Sequence, residues 1–201
     1  MNIDKLKKIT NIIIGAYIVA GLTLFLGAIF DFNIFPGFYM PYLMGALAFV
    51  SVFLIILPGL ILKPGDNPKK KRALVYLKAS IAFGLIINGA GGLGLYKLYT
   101  IGIQYDKITH FVTPFIFTVA LTYLLVNWYE KEWKYALIVS AIVVILGGFL
   151  WEVLEYVSDI FLGTHLFGGG SSEVIADTVG DIVANFLGVG VASFLIMRKN
   201  E

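Results

Sequence analysis

The chain contains no cysteine, which excludes disulfides, thiolate nucleophiles, iron–sulfur clusters and cysteine-held zinc. Charge is also scarce. Asp, Glu, Lys and Arg make up 14% of the residues, against about 25% in soluble domains. A net charge of +2 is too small for a phosphate-neutralising surface and argues against nucleic acid as a partner. Segments of alternating polarity are missing, so a transmembrane β-barrel is not expected. What the chain has instead is apolar bulk, with a hydrophobic fraction of 59% over 201 residues and a mean hydropathy of +0.87. A 22.1 kDa globule has too much surface for its volume to hide that excess. The same numbers exclude disorder and imply an all-α, polytopic membrane helix bundle, multi-pass in a cell (plasma or inner) membrane and surrounded by membrane lipid.

A bilayer core takes roughly 20 apolar residues per helix, and six runs qualify: Ile9–Phe30, Tyr39–Leu62, Ala73–Leu95, Lys107–Val126, Tyr135–Ile160 and Val174–Met197. Basic residues before the first run imitate a secretory signal. The run of 22 residues is nevertheless longer than a signal core, and no small-residue cleavage site follows, so it reads as a retained helix. Connections are short, so residues 1–201 read as one membrane domain. Helices one to three (1–100) form a mostly apolar scaffold interrupted by Asn88, and helices four to six (101–201) carry the polar groups. Thirteen of the fifteen Lys and Arg fall on one side of these spans, and only Lys97 and Lys107 on the other. The positive-inside rule then puts both termini in the cytoplasm. Within that set, Pro64–Arg72 reads as a solvated topology determinant that can also meet anionic headgroups. Trp128, Tyr129 and Trp133 suit an interfacial belt.

Ionisable groups at membrane depth mark function by default, and here they concentrate in the last three spans. Span four opens with Asp106-Lys107-Ile-Thr-His110, span five carries Glu152, Glu155 and Asp159, and span six carries Asp177, Asp181 and Asn185. Spacings of three and four place each set on one helix face. Counted at about 1.5 Å per residue, all of them lie in the outer, extracytoplasmic half of the membrane. So many carboxylates beside one histidine and one lysine cannot all be charged and unpaired. They can ligate a divalent ion, hold protons, or pair with Lys107 and backbone donors in a structural network. Metal leads, because carboxylates and an imidazole from facing helices form an oxygen-rich ligand set. The candidate ligands are Asp106, His110, Glu152, Glu155, Asp177 and Asp181, and the ion is Mg, Mn, Zn or Fe. His110, Glu152 and Glu155 are the candidate catalytic groups.

Each group also has a plainer reading. Glu152 or Glu155 can simply accept from Trp151 or Tyr156, and Asp177 can be a helix-entry residue favoured by the dipole. His165 lies in the Gly-rich loop Gly163–Ser172 as a surface residue or as part of a lid, and Ser171 or Ser172 is placed to cap the last helix. The stretch Gly89-Ala-Gly91-Gly-Leu-Gly94 matches a dinucleotide pattern. It lies inside an apolar span without the strand–turn–helix that gives the pattern its mechanism. Close helix packing explains it better, as it does Gly147-Gly148, Ala184, Gly188 and Ala192.

The motifs Tyr105-Asp-Lys-Ile-Thr-His110-Phe, Trp151-Glu-Val-Leu-Glu155, Phe161-Leu-Gly-Thr164 and Asp177-Thr-Val-Gly-Asp181 resemble the YjdF-type family of uncharacterised prokaryotic inner-membrane proteins. More remotely, the order Asp-Lys-x-x-His-Phe, Glu, Asp-x-x-x-Asn is similar to the VanZ-like family. The likeness covers residues 104–192. Twelve residues separate Thr164 from Asp177 where the YjdF type runs on almost directly, and Glu155 stands where the VanZ type has Gln. The resemblance implies a membrane-embedded polar site formed by the last three helices and assigns no reaction. From the residues, the leading function is a metal-dependent hydrolase or transferase acting on a lipid-linked or amphipathic substrate. A proton- or cation-coupled transporter or channel, and a non-catalytic protein binding lipid or a partner, stand beside it.

Overall fold

A computed structural model describes residues 2–30, 40–164 and 174–200. All regular structure among them is helical. The six long helices are α1 (Ile3–Ile29), α2 (Pro41–Ile61), α3 (Pro68–Gly92), α4 (Tyr105–Trp128), α5 (Trp133–Leu162) and α6 (Val174–Asn200), with a short 3-10 helix, η1 (Leu95–Ile101), before α4. All six long helices are long and apolar enough to cross a membrane. Five of the six expected runs have their full length in described helix or its immediate flank. Tyr39, expected to start the second run, lies outside the described residues, as do His165 and Ser171 or Ser172.

The helix ends follow from local chemistry. Asn2 accepts from the Asp4 amide at the start of α1, and Asn67 accepts from Lys69 and Lys70 as Pro68 opens α3. At α5 the Glu132 carboxylate takes the Lys134 and Tyr135 amides. Such caps satisfy amides that have no partner within their own helix. Gly163, at φ +65, ends α5 in the left-handed conformation that glycine adopts without strain. Arg198 and Lys199 close α6, where cations suit the dipole.

The chain divides into two compact units, Met1–Gly89 and Ala90–Glu201. In the first, α1 packs on α2 through glycines facing phenylalanines. A Cβ on Gly21 would come within 2.9 Å of the Phe49 ring, and one on Gly45 equally close to Phe25. Ile13, Ile55 and Ala82 form its buried centre.

In the second unit α4 is the central helix, packed against both α5 and α6. Gly188 of α6 is buried against the α4 backbone, where any Cβ would collide with the Phe111 carbonyl. Small residues allow such close approach between membrane helices. The seam fixes how α6 is rotated against α4, and so which α6 side chains face His110. Outward faces stay apolar and exposed, as with Phe161 at 78% and Ile175 at 78%, which is what lipid contact requires.

Candidate metal centre

The first turns of α4 set out Asp106, Lys107 and His110. Asp106 and His110 are one turn apart, with His110 Nε2 3.7 Å from Asp106 Oδ1. The imidazole is buried with its side chain 7% exposed, and it is reached from both neighbouring helices. Asp181 Oδ1 of α6 lies 3.8 Å from Nε2, and Glu152 Oε1 of α5 lies 3.6 Å from Nδ1. Two sets of potential ligand atoms therefore share one histidine: Asp106, His110 and Asp181, and His110, Glu152 and Glu155. Within each set the atoms lie within 4.8 Å of one another.

The two sides of the ring differ in charge balance. On the α6 side, the Lys107 ammonium donates to Asp177 Oδ1 at 2.5 Å, to the Asp177 carbonyl at 3.0 Å and to Asp181 Oδ1 at 2.8 Å. It is also 3.7 Å from Asp106 Oδ2. One cation thus serves three aspartates. On the α5 side among the described residues, Glu155 accepts from the Trp151 indole N–H at 2.6 Å, a neutral donor. Glu152 Oε1 is buried and has no hydrogen-bond partner, and its 3.6 Å separation from the ring nitrogen is too long for a hydrogen bond. A buried carboxylate oxygen without a partner is costly and needs an explanation.

Three further residues complete the surroundings. The Asn185 side chain lies beside His110. It fits because position 148 is glycine, where a Cβ would come 2.8 Å from Asn185 Nδ2. From η1, Tyr96 reaches under the end of α3, and Gly91 leaves room where any Cβ would overlap its ring. The Tyr96 hydroxyl lies near Thr109, whose own hydroxyl donates to the Asp106 carbonyl at 2.7 Å. Burial, and after it the Asp106 charge, hold the Tyr96 phenol well above its ordinary pKa. It therefore remains a neutral donor at the rim.

The sequence expectations fall into place unevenly. Asp106 and Asp181 meet His110 at Nε2, Glu152 meets it at Nδ1 with Glu155 on that side, and Asp177 meets Lys107 instead of the imidazole. Asp159 belongs to a different arrangement at the end of α5, where it accepts from Thr164 at 2.6 Å. Tyr96 is a neighbour that spacing did not indicate. Its only sequence signal is Gly91, a small residue ahead of an aromatic.

The family described as predicted membrane protein (DUF2238) matches residues 18–201. No curated protein and no solved structure matches the chain.

Proposed function

We propose that this chain, which belongs to the DUF2238 family of predicted membrane proteins, is a metal-dependent membrane enzyme, a hydrolase or transferase whose substrate is lipid-linked or amphipathic. The observation that carries this reading is the orphaned Glu152 Oε1 beside His110 Nδ1. Five carboxylates surround one lysine and one histidine, so the cluster needs either protons on its carboxylates or positive charge beyond Lys107. The deficit is greatest on the Glu152 side, where among the described residues no lysine or arginine pairs with either glutamate and only His110 Nδ1, at 3.6 Å from Glu152, lies near. His110 Nδ1, Glu152 and Glu155 are accordingly the ligands we assign to a divalent ion. Asp106 and Asp181 then stand behind Nε2, in the manner of carboxylates that orient metal-bound histidines.

The donor set fits a divalent ion. The two carboxylates suit Mg or Mn, and the imidazole suits Zn or Fe, so the set admits all four. Metal–ligand bonds of about 2.0–2.2 Å require donors roughly 3–3.5 Å apart, close to the 3.6 Å between Nδ1 and Oε1. Such an ion, when bound, would polarise an ester or activate water. Three protein ligands leave positions for a substrate oxygen. The Tyr96 phenol lies on the Asp106 side as a neutral donor, and Lys107 holds the aspartates in place.

The Trp151 indole is 45% exposed and bonded to Glu155, so the ligand set communicates with the lipid-facing side of α5. That supports a substrate arriving from the bilayer. The YjdF-type motifs are consistent with the family membership. The remoter VanZ-like resemblance and the extracytoplasmic placement of the site, with both termini inside, belong to the same proposal. Metal analysis of detergent-purified protein tests it. Near-stoichiometric Mg, Mn, Zn or Fe that is lost in Glu152→Gln, with the fold retained, supports the reading. Metal-free protein that gains no stability on adding any of these ions overturns it.

A further inference from the structure

Beyond the carboxylates, the buried stripe of α4 stays polar where lipid-depth helix is ordinarily apolar. His110, Pro114, Thr118 and Thr122 follow at four-residue steps and are all buried, each step advancing about 6 Å along the axis. Thr118 is 0% exposed and Thr122 4%. Neither hydroxyl oxygen has a hydrogen-bond partner.

Several other buried hydroxyls return to their own helix, although the Tyr17 hydroxyl is also without a partner. Thr10 and Ser140 donate to the carbonyl four residues back, the usual arrangement for hydroxyls in membrane helices. Thr118 and Thr122 do not. Leaving a buried hydroxyl unpaired costs about 1–3 kcal/mol, and here the deficit occurs twice in succession. Pro114, one turn above, has no N–H to return to the His110 carbonyl. The stripe thus offers two hydroxyls without a partner and, above them, a His110 carbonyl that has no Pro114 N–H to accept from. The buried face of α6 beyond Asn185 carries Gly188, Val189 and Ala192, none of which has a polar side chain.

We propose that Thr118 and Thr122 anchor a file of buried waters that continues from beneath His110 toward the Trp128 end of α4, and that this file conducts protons along the helix. A rise of about 6 Å between successive hydroxyls is two hydrogen bonds of about 2.8 Å, the span of one bridging water. Polar groups lacking partners are what retain such waters. A threonine hydroxyl has one donor and two acceptor positions. It passes a proton to the water below as it accepts one from the water above, and is left chemically unchanged. This activity stands apart from the proposed metal chemistry and needs no metal.

Proton flux into vesicles containing a pH dye, driven by a potassium diffusion potential, tests the proposal with the full chain. Flux above that of protein-free vesicles is expected for the unmodified protein. It should be lost in the Thr118→Val, Thr122→Val double variant and restored by serine at both positions. Because the chain has no cysteine, Thr118→Cys and Thr122→Cys each carry the only thiol. Both should react with a small water-borne thiol reagent, while the buried Ala120→Cys, off the stripe, should not. No flux above the blank, or flux unchanged by valine together with unreactive thiols, overturns the file. Metal binding is read separately in the same valine variants. Loss of flux with metal retained, or of metal in Glu152→Gln with flux retained, distinguishes the two proposals.

Discussion

Lys107 and Asp181, separated by 74 positions in sequence, meet at 2.8 Å with the Asp181 side chain only 4% exposed. That pair ties α4 to α6 at the level of the histidine. It also divides the polar cluster into a half neutralised from within and a half that is not. The predictions below follow from that asymmetry and from the packing that creates it.

Removing the ammonium leaves Asp177 and Asp181 uncompensated. Breaking a fully buried pair from one side costs about 3–5 kcal/mol; Lys107 and Asp177 are partly exposed, so Lys107→Met should lower thermal stability by less than that in metal-free buffer. Added Mg or Mn should recover part of the loss, because the freed aspartates then become ligands themselves. Thermal unfolding in detergent with and without the ion checks this, and a loss unaffected by metal would count against a cation-binding cluster.

Trp151 reports on Glu155. Its indole donates to that carboxylate at 2.6 Å, and metal ligation by Glu155 must disturb the bond. Titrating the ion should change tryptophan emission, and Trp151→Phe should abolish the change although Trp128 and Trp133 remain. An undiminished response in that variant would place the ion elsewhere.

Gly148→Ala and Gly188→Ala should separate site from scaffold. At position 148 the added methyl meets the flexible Asn185 side chain, which lies beside His110, so metal affinity should fall more than stability. At position 188 the obstacle is the Phe111 carbonyl, which cannot yield without moving a helix. Overpacking of that kind costs about 1–3 kcal/mol, read as a lower melting temperature even without metal.

Alkaline pH should weaken the fold through Tyr96. Its folded pKa is raised by burial and the Asp106 charge, so above the ordinary value of about 10 the unfolded chain releases a proton that the folded chain keeps. Stability contributed by the neutral phenol is complete below that value and declines as pH rises past it. Tyr96→Phe should make the decline shallower, measured by unfolding between neutral and strongly alkaline buffer.

Much of this architecture was legible in the amino acids. Helix bounds such as Pro41–Ile61 for an expected Tyr39–Leu62 follow because a continuous apolar run has few alternatives in a bilayer. The i, i+4 spacing of Asp106 and His110, and of Asp177 and Asp181, correctly put each pair on one face. Spacing within a helix could not assign partners between helices. That Lys107 takes Asp177 while Glu152 is left alone depends on the rotation of α6 against α4, set by the Gly188 contact with Phe111. Tyr96 was hidden for a related reason: it comes from a 3-10 segment, η1, that no apolar periodicity announces.

The length of α5 has a further consequence. Thirty residues make a rod of about 45 Å, half as long again as a hydrocarbon layer of about 30 Å, so the rod must lean or protrude. Glu152 and Glu155 are on the third and second turns from its Leu162 end, where a small vertical displacement separates dry acyl chains from wet headgroups. Bilayers of short acyl chains should therefore hydrate this cluster, and long-chain bilayers should seal it. Membrane thickness is then expected to decide how readily water reaches the two carboxylates.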